Sequence, residues 1–260
     1  MDEDFDDGWD MSARLVDGRW VDRSPRRPDV EPQVRREVAV MPWLAPQLPL
    51  PVPVPQIVCE QPLTVRHAYV PGGPCPGRSA GQGRAVGAFL RALHRVDPRA
   101  AVAHGARDAE ASFVAAEEIR HGLARVVLPR LPRHVLPAAE ALLARLTTPP
   151  HVPRVTHGDL GPSHIRVTAD RVTGVIDWGD CCVGDPALDL AWTVVGSAPA
   201  FGDAVVAAYG ADDSLIARAR DFHQLGPWHE VSHGLVTGRP AYVDSGVAGV
   251  VDRLERFGSS

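Results

Sequence analysis

The sequence predicts an α+β fold of two lobes, and three observations lead to that prediction. Strand-like patterns dominate the first 70 residues, helical patterns dominate most of the remainder, and a stretch rich in Gly, Pro and Ser separates them at about residues 71–83. Strands that precede helices indicate segregated elements, and not strands that alternate with crossover helices. We therefore expect a small N-terminal lobe, residues 1–71, and a large helical lobe, residues 72–260.

The first elements of the N-terminal lobe are predicted to be a hairpin and a helix. Residues 9–24 form two strand-like runs around Asp17-Gly18, a dipeptide typical of tight hairpin turns. Residues 29–41 are rich in charge and carry a partly apolar helical face. These patterns predict two strands followed by one helix.

A proline-rich segment follows the predicted helix. Six prolines in residues 42–55 predict an extended chain, because proline lacks the backbone N–H that a helix interior needs. Such a segment acts as a rigid connector within the fold or as a polyproline ligand for a partner, and we favour the connector. Residues 62–70 (PLTVRHAYV) predict a further strand before the break at Pro71.

The second lobe is predicted to be mainly helical. Helical patterns run from about residue 84 to residue 147 and resume after Pro186. Between them, residues 154–177 alternate short apolar runs with turns, which predicts two short strands that carry polar loops.

The composition excludes several classes of function. All 27 basic residues are Arg, and the chain has neither Lys nor Asn, which excludes a lysine Schiff base and a Walker-type phosphate loop. The net charge is −5 with no basic stripe, so nucleic acid is not an expected partner. An acidic N-terminus and short apolar runs predict a cytoplasmic protein. The four cysteines form no CxxC pair, which argues against a zinc site or a disulfide framework.

The polar loops between residues 156 and 189 carry the residues suited to catalysis. The string THGDLGPSHI places Asp159 on a loop, where its carboxylate could accept a proton from a hydroxyl group. His164 in the same string, and Asp177 in the following VIDW, could hold a metal ion through nitrogen and oxygen. A base beside two metal ligands suits phosphoryl transfer, which depends on positioning and charge neutralisation.

These strings resemble a known family. HGDLGPSHI followed by VIDWGDCCVGDPALDLA is similar to the signature of the aminoglycoside phosphotransferase family, which shares its fold with protein kinases. GAFLRALHRVD resembles the family's helix that ends in Leu-His, and HAYVPGG resembles its inter-lobe hinge. The resemblance covers nearly the whole chain. It implies a bilobal protein-kinase-like fold, ATP or GTP as phosphoryl donor, Mg²⁺, and a small-molecule acceptor with a hydroxyl group.

The resemblance also implies roles for residues of the second lobe. Asp159 matches the catalytic base, and His157 matches the histidine of the HGD motif, whose expected role is to support the loop. Asp177 matches the aspartate that holds Mg²⁺ at the nucleotide phosphates, and His164 occupies the second metal position. Asp185 and Asp189 match positions expected to orient the loop and the following helix.

The first lobe is expected to bind the nucleotide. Arg23 takes the place of the strand lysine that contacts the phosphates in this family, and Glu37 takes the place of the helix carboxylate that pairs with it. Backbone groups around Ala68 and Val70 are expected to meet the nucleobase. Asp22 and Ser24 flank Arg23 where the family's strands usually carry apolar residues.

Three departures from the family pattern matter. His164 stands where the family usually has Asn, and a histidine there is similar to the macrolide phosphotransferase branch. Arg23 replaces Lys; it keeps the charge but adds a bulkier, forked head. The chain begins near the family's glycine-rich loop, with Gly8 its only glycine there, so we expect either a shortened first lobe or a misassigned start. Ordinary surface roles for His164, Arg23 and Glu37 are the alternatives.

The expected function is phosphorylation of an antibiotic or a similar natural product, which would give resistance or self-resistance. A macrolide is the favoured acceptor, followed by an aminoglycoside or a nucleoside antibiotic. Two alternatives remain: a small-metabolite kinase of the same fold, and a non-catalytic nucleotide-binding protein.

Overall fold

The first lobe is built on a twisted antiparallel sheet with one helix. The computed structural model describes residues 3–5, 10–150 and 152–257. Within these ranges the sheet has the strand order β1-β2-β3-β5-β4. Its elements are β1 (Glu3–Phe5), β2 (Met11–Val16), β3 (Trp20–Pro25), α1 (Glu31–Leu44), β4 (Gln56–Glu60) and β5 (Leu63–Ala68).

This lobe departs from the predictions at two strands and at one helix end. Strands β1 and β4 were not predicted, and Gly8 lies outside the described residues. The extended segment predicted to begin at Pro42 is wrong at its start, because α1 continues through Pro42 to Leu44 and a 3₁₀ turn follows. Met41 and Leu44 are fully buried, and a proline near the end of a helix removes a single hydrogen bond.

Alternation along β3 decides which side chains face the interior. Arg23 pairs in register with Val65 of β5, and both are buried, whereas Asp22 on the other side of the strand pairs with Arg66. Successive side chains of a strand point to opposite faces, so the polar neighbours of Arg23 lie outside while Arg23 points inward. Val34 of α1 closes a small apolar core on this inner face.

The second lobe is mainly helical and carries short strands around its polar loops. The 3-stranded and 2-stranded sheets of the described residues pair β6 with β8 and β9, and β7 with β10. Residues 154–177, for which two strands were predicted, contain three. The elements are β6 (Gly73–Pro74), α2 (Ala80–Leu93), α3 (Pro98–Ala103), α4 (Ala109–Val127), α5 (Leu136–Leu146), β7 (Arg154–Thr156), β8 (Ile165–Thr168), β9 (Arg171–Val175), β10 (Cys182–Gly184), α6 (Pro186–Leu190), α7 (Pro199–Tyr209), α8 (Asp213–Val236) and α9 (Pro240–Phe257).

Two apolar cores stabilise this lobe. The first lies under the short strands and includes Phe89 of α2 and Trp178, whose rings meet edge to face at 6.1 Å. The second surrounds Trp228 of α8 and is shared with α4, α5 and α9. Leu160 and Trp178 belong to the first core, and their burial fixes the polar loops that carry them to the helical lobe. The α+β fold with a small sheet lobe and a helical lobe is therefore confirmed.

The proline-rich connector joins the two lobes. The carbonyl oxygen of Pro51 accepts a hydrogen bond from the backbone N–H of Val175 at 3.0 Å. Leu48, Leu50 and Val52 pack against the first core of the helical lobe. These contacts make the segment part of the fold, as the connector interpretation requires. The division at residues 71 and 72 remains a prediction.

None of the helices in the described ranges is both long and apolar enough to cross a membrane.

Candidate functional site

The loop between β7 and β8 carries Asp159 at the mouth of a cleft between the lobes. Gly158, just before it, has a φ of +89°, a conformation that side chains rarely adopt. A Cβ atom at Gly158 would also lie 2.4 Å from the carbonyl oxygen of Asp180. Only glycine fits this position, which brings the turn after Asp177 into direct contact with the loop that carries Asp159.

A buried carboxylate holds the loop from beneath. Asp189, at 0% exposure, accepts hydrogen bonds from the backbone N–H groups of His157 and Gly158 at 2.8 and 2.9 Å. His94 Nε2 donates to the same carboxylate at 3.0 Å, and His94 Nδ1 lies 2.8 Å from the hydroxyl of Tyr209. Burial opposes ionisation of Asp189, but the hydrogen bond and charge of His94 outweigh it and lower the pKa.

His157 is an internal support of the same loop. Its side chain is fully buried; Nδ1 accepts the backbone N–H of Asp159 at 3.2 Å, and Nε2 donates to the carbonyl oxygen of Ile176 at 2.9 Å. Burial lowers the pKa of His157, so the imidazole is neutral. Both ring nitrogens are occupied within the protein, and the ring links the loop to the strand end before Asp177.

Asp159 has the opposite environment. Its side chain is 66% exposed, and no donor of the described residues lies within hydrogen-bond distance of the carboxylate. Limited solvation raises the pKa of Asp159, and the negative charges of Asp177 and Asp189 raise it further. The neighbouring His164 acts in the opposite direction, but the pKa remains raised. An open carboxylate with a raised pKa is suited to receive a hydrogen bond from an incoming hydroxyl group.

His164 and Asp177 face each other beside Asp159. His164 Nδ1 lies 2.6 Å from the carbonyl oxygen of Asp159, so this nitrogen carries a proton and donates it. His164 Nε2 lies 3.5 Å from Asp177 Oδ2. Two lone-pair atoms at this separation need a proton or a metal cation between them. Asp177 has a φ of +67°, a strained conformation that is typical of functional positions.

Arg23 and Glu37 complete the cleft from the first lobe. Arg23 Nη1 donates to Glu37 Oε1 at 2.9 Å and Nη2 donates to Asp177 Oδ1 at 3.1 Å. Arg23 is 8% exposed and Glu37 is 1% exposed, so neither has an ordinary surface role. Burial raises the pKa of Glu37 against the attraction of Arg23. Burial likewise opposes ionisation of Asp177, but Arg23 and then His164 outweigh it and lower the pKa.

Ala68 and Val70 lie at the junction of the lobes, away from the ionic cluster. Arg23 pairs with Val65, and Ala68 is three residues further along the chain, about 10 Å at the rise of a strand. Val70 is buried against Gly174, and the carbonyl oxygen of Ala68 lies 2.9 Å from His67 Nδ1. The cluster thus brings together Arg23, Glu37, His157, Asp159, His164 and Asp177, whereas Ala68 and Val70 lie outside it.

Sequence reasoning missed two polar residues of the site. Asp180 accepts a hydrogen bond from Gln33 Nε2 of α1 at 3.2 Å. Burial, followed by the neighbouring charges of Asp159 and Asp177, raises the pKa of Asp180 to about 6. Asp180 stands in the same motif as Asp177, which was a usable signal. Nothing in the sequence pointed to Gln33, because its contact depends on the approach of the two lobes.

The cation-binding capacity of the cleft is partial. No three His, Cys, Asp or Glu side chains of the described residues converge as a complete ligand set. His164 and Asp177 offer one nitrogen and one carboxylate. A magnesium ion commonly takes one or two protein ligands and completes its shell with phosphate oxygens and water.

Structural comparisons place the fold among antibiotic phosphotransferases. The chain is similar to the GDP and kanamycin complex of APH(2")-IIia, with a TM-score of 0.84, 21% identity, and coverage of 98% of this chain and 93% of that one. It is also similar to apo macrolide 2'-phosphotransferase MphH from Brachybacterium faecium. That match has a TM-score of 0.75 and 26% identity, and covers 96% of this chain and 92% of that one.

Sequence comparisons agree. The viomycin phosphotransferase of Streptomyces vinaceus is 47% identical over 58 residues, which is 20% of this chain and 20% of that protein. The match thus spans a fifth of the relative's length. The model of the phosphotransferase enzyme family matches residues 3–228, most of the chain. The resemblance inferred from the motifs is confirmed: the chain belongs to the phosphotransferase enzyme family.

Proposed function

We propose that the protein transfers the γ-phosphoryl group of ATP or GTP to a hydroxyl group of an antibiotic or a similar natural product. The observation that carries this proposal is the pairing of the open carboxylate of Asp159 with Asp177, which Arg23 and His164 flank from opposite sides. An unbonded carboxylate beside a carboxylate that Arg23 and His164 contact suits in-line phosphoryl transfer to an alcohol.

Asp159 is proposed as the base that orients the acceptor hydroxyl. Its carboxylate is exposed and bonded to no donor of the described chain, so both oxygens are available to an acceptor. His157 and Asp189 are proposed as supports, because their hydrogen bonds hold the backbone on each side of Gly158. The acceptor proton would pass to the carboxylate as the oxygen attacks phosphorus.

His164 and Asp177 are proposed to hold Mg²⁺. The donor set fits, because the protonated Nδ1 of His164 leaves the Nε2 lone pair directed at Asp177 Oδ2, 3.5 Å away. When bound, the metal would neutralise negative charge on the transferred phosphoryl group. Arg23 supports the same arrangement, since its fork holds Asp177 Oδ1 while Glu37 fixes the guanidinium.

The nucleotide is proposed to lie between the ionic cluster and the lobe junction. Arg23 would contact the phosphates, and backbone groups of Ala68 and Val70 would border the base. Arg23 of β3 pairs with Val65 of β5, and Ala68 lies three residues further along β5, roughly 10 Å, which is comparable with the reach of a nucleotide.

A macrolide is the favoured acceptor. His164 replaces the usual metal-binding Asn with the residue typical of the macrolide branch. The macrolide phosphotransferase MphH is also 26% identical to this chain, compared with 21% for the aminoglycoside enzyme. Phosphorylation of such an acceptor would confer resistance or self-resistance.

A cationic acceptor is the second candidate, and an open depression of about 450 Å³ on α4 favours it. The N-terminus of α4 lies near the site, because the carbonyl oxygen of Arg107 accepts the N–H of Val183 in β10 at 2.9 Å. Three acids and three small or branched apolar residues line the depression: Asp108, Glu110, Ala111, Val114, Ala115 and Glu118.

The test is a phosphorylation assay with the purified full chain. The protein would be incubated with Mg²⁺ and ATP or GTP, separately with a macrolide, an aminoglycoside, a nucleoside antibiotic and a basic cyclic peptide antibiotic. We expect mass spectrometry to detect one added phosphoryl group on the macrolide, and Asp159→Asn to form this product at least about a hundredfold more slowly. Absence of product with every acceptor would overturn the proposal, and product only with cationic acceptors would select the second candidate.

A further inference from the structure

Asp180 lies between the catalytic loop and the helix of the first lobe. On one side, the three atoms nearest to a Cβ built at Gly158 all belong to Asp180, the closest at 2.4 Å. On the other side, Asp180 Oδ1 accepts from Gln33 Nε2 of α1 at 3.2 Å. Asp180 therefore touches the residue before Asp159 and the first turns of α1 at the same time.

Two side chains of α1, one turn apart, meet this turn. The three atoms nearest to a Cβ built at Gly179 all belong to the Gln33 side chain, the closest at 2.6 Å, so a larger residue at 179 would displace that side chain. One turn further along α1, the carboxylate of Glu37 accepts from the backbone N–H of Trp178. The same carboxylate binds Arg23, which reaches Asp177.

Gln33 and Glu37 lie four residues apart and therefore share one face of α1. Glu37 orients the cation that meets Asp177, so a small rotation of α1 would move Arg23 relative to Asp177. The contact between Gln33 and Asp180 opposes that rotation, because it holds the helix at a second point about one turn away from Glu37. Arg36, on the adjacent face, adds charge attraction to Asp180.

We propose that Asp180 is a positioning residue that couples α1 to the catalytic loop, so that Arg23, Asp177 and Asp159 are aligned together. Asp180 acts through Gln33 and through the backbone of Gly158, and it does not touch the reacting atoms. This inference rests on the proposed function for its effect on nucleotide binding. It adds to that function a residue pair, Gln33 and Asp180, to which the family resemblance assigned no role.

The test reverses the hydrogen bond between the two residues. Gln33→Glu places a second carboxylate against Asp180, and we expect nucleotide affinity to fall about tenfold, the effect of losing one hydrogen bond to a charged group. Asp180→Asn keeps an acceptor for Gln33 and is expected to change affinity less than about threefold. In the double variant the Asn amide donates to the Glu carboxylate, and we expect affinity to return to within about threefold of native.

Nucleotide affinity would be measured by calorimetry with Mg²⁺ and ATP or GTP, without an acceptor. The unfolding temperature of each variant would be measured separately. A purely structural role predicts that both quantities fall together, whereas positioning predicts that affinity falls at a nearly constant unfolding temperature. Arg35→Ala is the matched control on α1: it removes the surface ion pair with Glu60, at 2.8 Å, and is expected to leave affinity unchanged.

A second readout keeps the test independent of phosphoryl transfer. Hydrogen exchange of the amides in α1 and in residues 177–181 of the free protein should accelerate in Gln33→Glu and recover in the double variant. Unchanged exchange in Gln33→Glu, or a double variant no better than Gln33→Glu, would overturn the coupling. If the native chain binds no nucleotide but the exchange pattern reverses as expected, the coupling stands and the proposed function fails.

Discussion

Two carboxylates within one hydrogen-bonded region, Asp189 and Asp159, have opposite environments. Asp189 is fully buried and accepts three hydrogen bonds, which lower its pKa. Asp159 is 66% exposed, meets no donor of the described residues, and has a raised pKa. The two are linked through the backbone of His157 and Gly158, so one carboxylate fixes the position of the other.

This difference separates support from reaction. When a buried carboxylate that accepts hydrogen bonds from backbone N–H groups is removed, those groups lose their partner. The free energy of unfolding then falls. An exposed carboxylate with no donor contributes little to folding and is free to interact with a substrate. The same chemical group therefore predicts opposite experimental signatures at the two positions.

The largest expected effect is on turnover in Asp159→Asn. We expect the rate to fall roughly 10²- to 10⁴-fold, the usual contribution of a positioned proton acceptor. The unfolding temperature should stay near that of the native protein, because no hydrogen bond to the carboxylate is lost. Steady-state kinetics with a phosphorylated acceptor, together with thermal unfolding, would check this. A variant with a near-native rate would remove Asp159 from the role of base.

The converse experiment is Asp189→Ala. Two backbone N–H groups and His94 lose their acceptor in a fully buried site, and we expect the free energy of unfolding to fall by about 3–5 kcal/mol. Urea unfolding measures this directly. Asp189→Asn retains one acceptor oxygen and should lose less. Equal stability of native and Ala proteins would contradict the support role.

Gly158→Ala tests the backbone segment that connects Asp159 to the hydrogen bonds of Asp189. The φ of +89° and the 2.4 Å approach to the Asp180 carbonyl oxygen predict a loss of about 1–3 kcal/mol in the free energy of unfolding, with reduced turnover. Gly161→Ala is the control on the same loop, because a Cβ there meets nothing within 4 Å. Similar behaviour of the two variants would show that the close approach is not maintained in solution.

The smallest expected effect is on the pH dependence of stability. Asp189 has a folded-state pKa below its ordinary value, so its stabilisation is present above the unfolded-state pKa and is lost as the pH falls through the folded-state pKa. His94, His157 and, through His94, Tyr209 are the titratable groups around it. We expect the stability gap between native protein and Asp189→Asn to narrow below about pH 4, as urea unfolding at several pH values would show. A gap independent of pH would contradict a lowered pKa.

Much of the fold could be predicted because its signals are local. The hairpin around Asp17-Gly18 and the helical runs after residue 84 follow from turn chemistry and apolar spacing. Strands β1 and β4 carried no such pattern, and their pairing with β2 and β5 depends on partners elsewhere in the chain. The end of α1 was misjudged at Pro42 because burial of Met41 and Leu44 outweighs the cost of one proline.

The candidate site was predicted to a similar degree. The motifs named Asp159, His164 and Asp177, and the structure brings them within a few ångströms of one another. They did not reveal Gln33, whose partner Asp180 lies 147 residues away in the chain. Local spacing cannot report a contact between lobes.

The sequence by itself determined the chemistry available to this protein. With neither Lys nor Asn in the chain, any permanently charged cationic side chain at the phosphates must be Arg, and the residue at the usual Asn position must be something else, here His164. Only the tertiary structure decided which carboxylates are supports and which are open. Arg23 meets Asp177 across 154 residues, and Asp189 is surrounded by donors from the end of α2 and from the loop that carries Asp159. The physical reason is that burial, hydrogen bonding and pKa depend on the three-dimensional surroundings of a group, and packing between distant segments creates those surroundings.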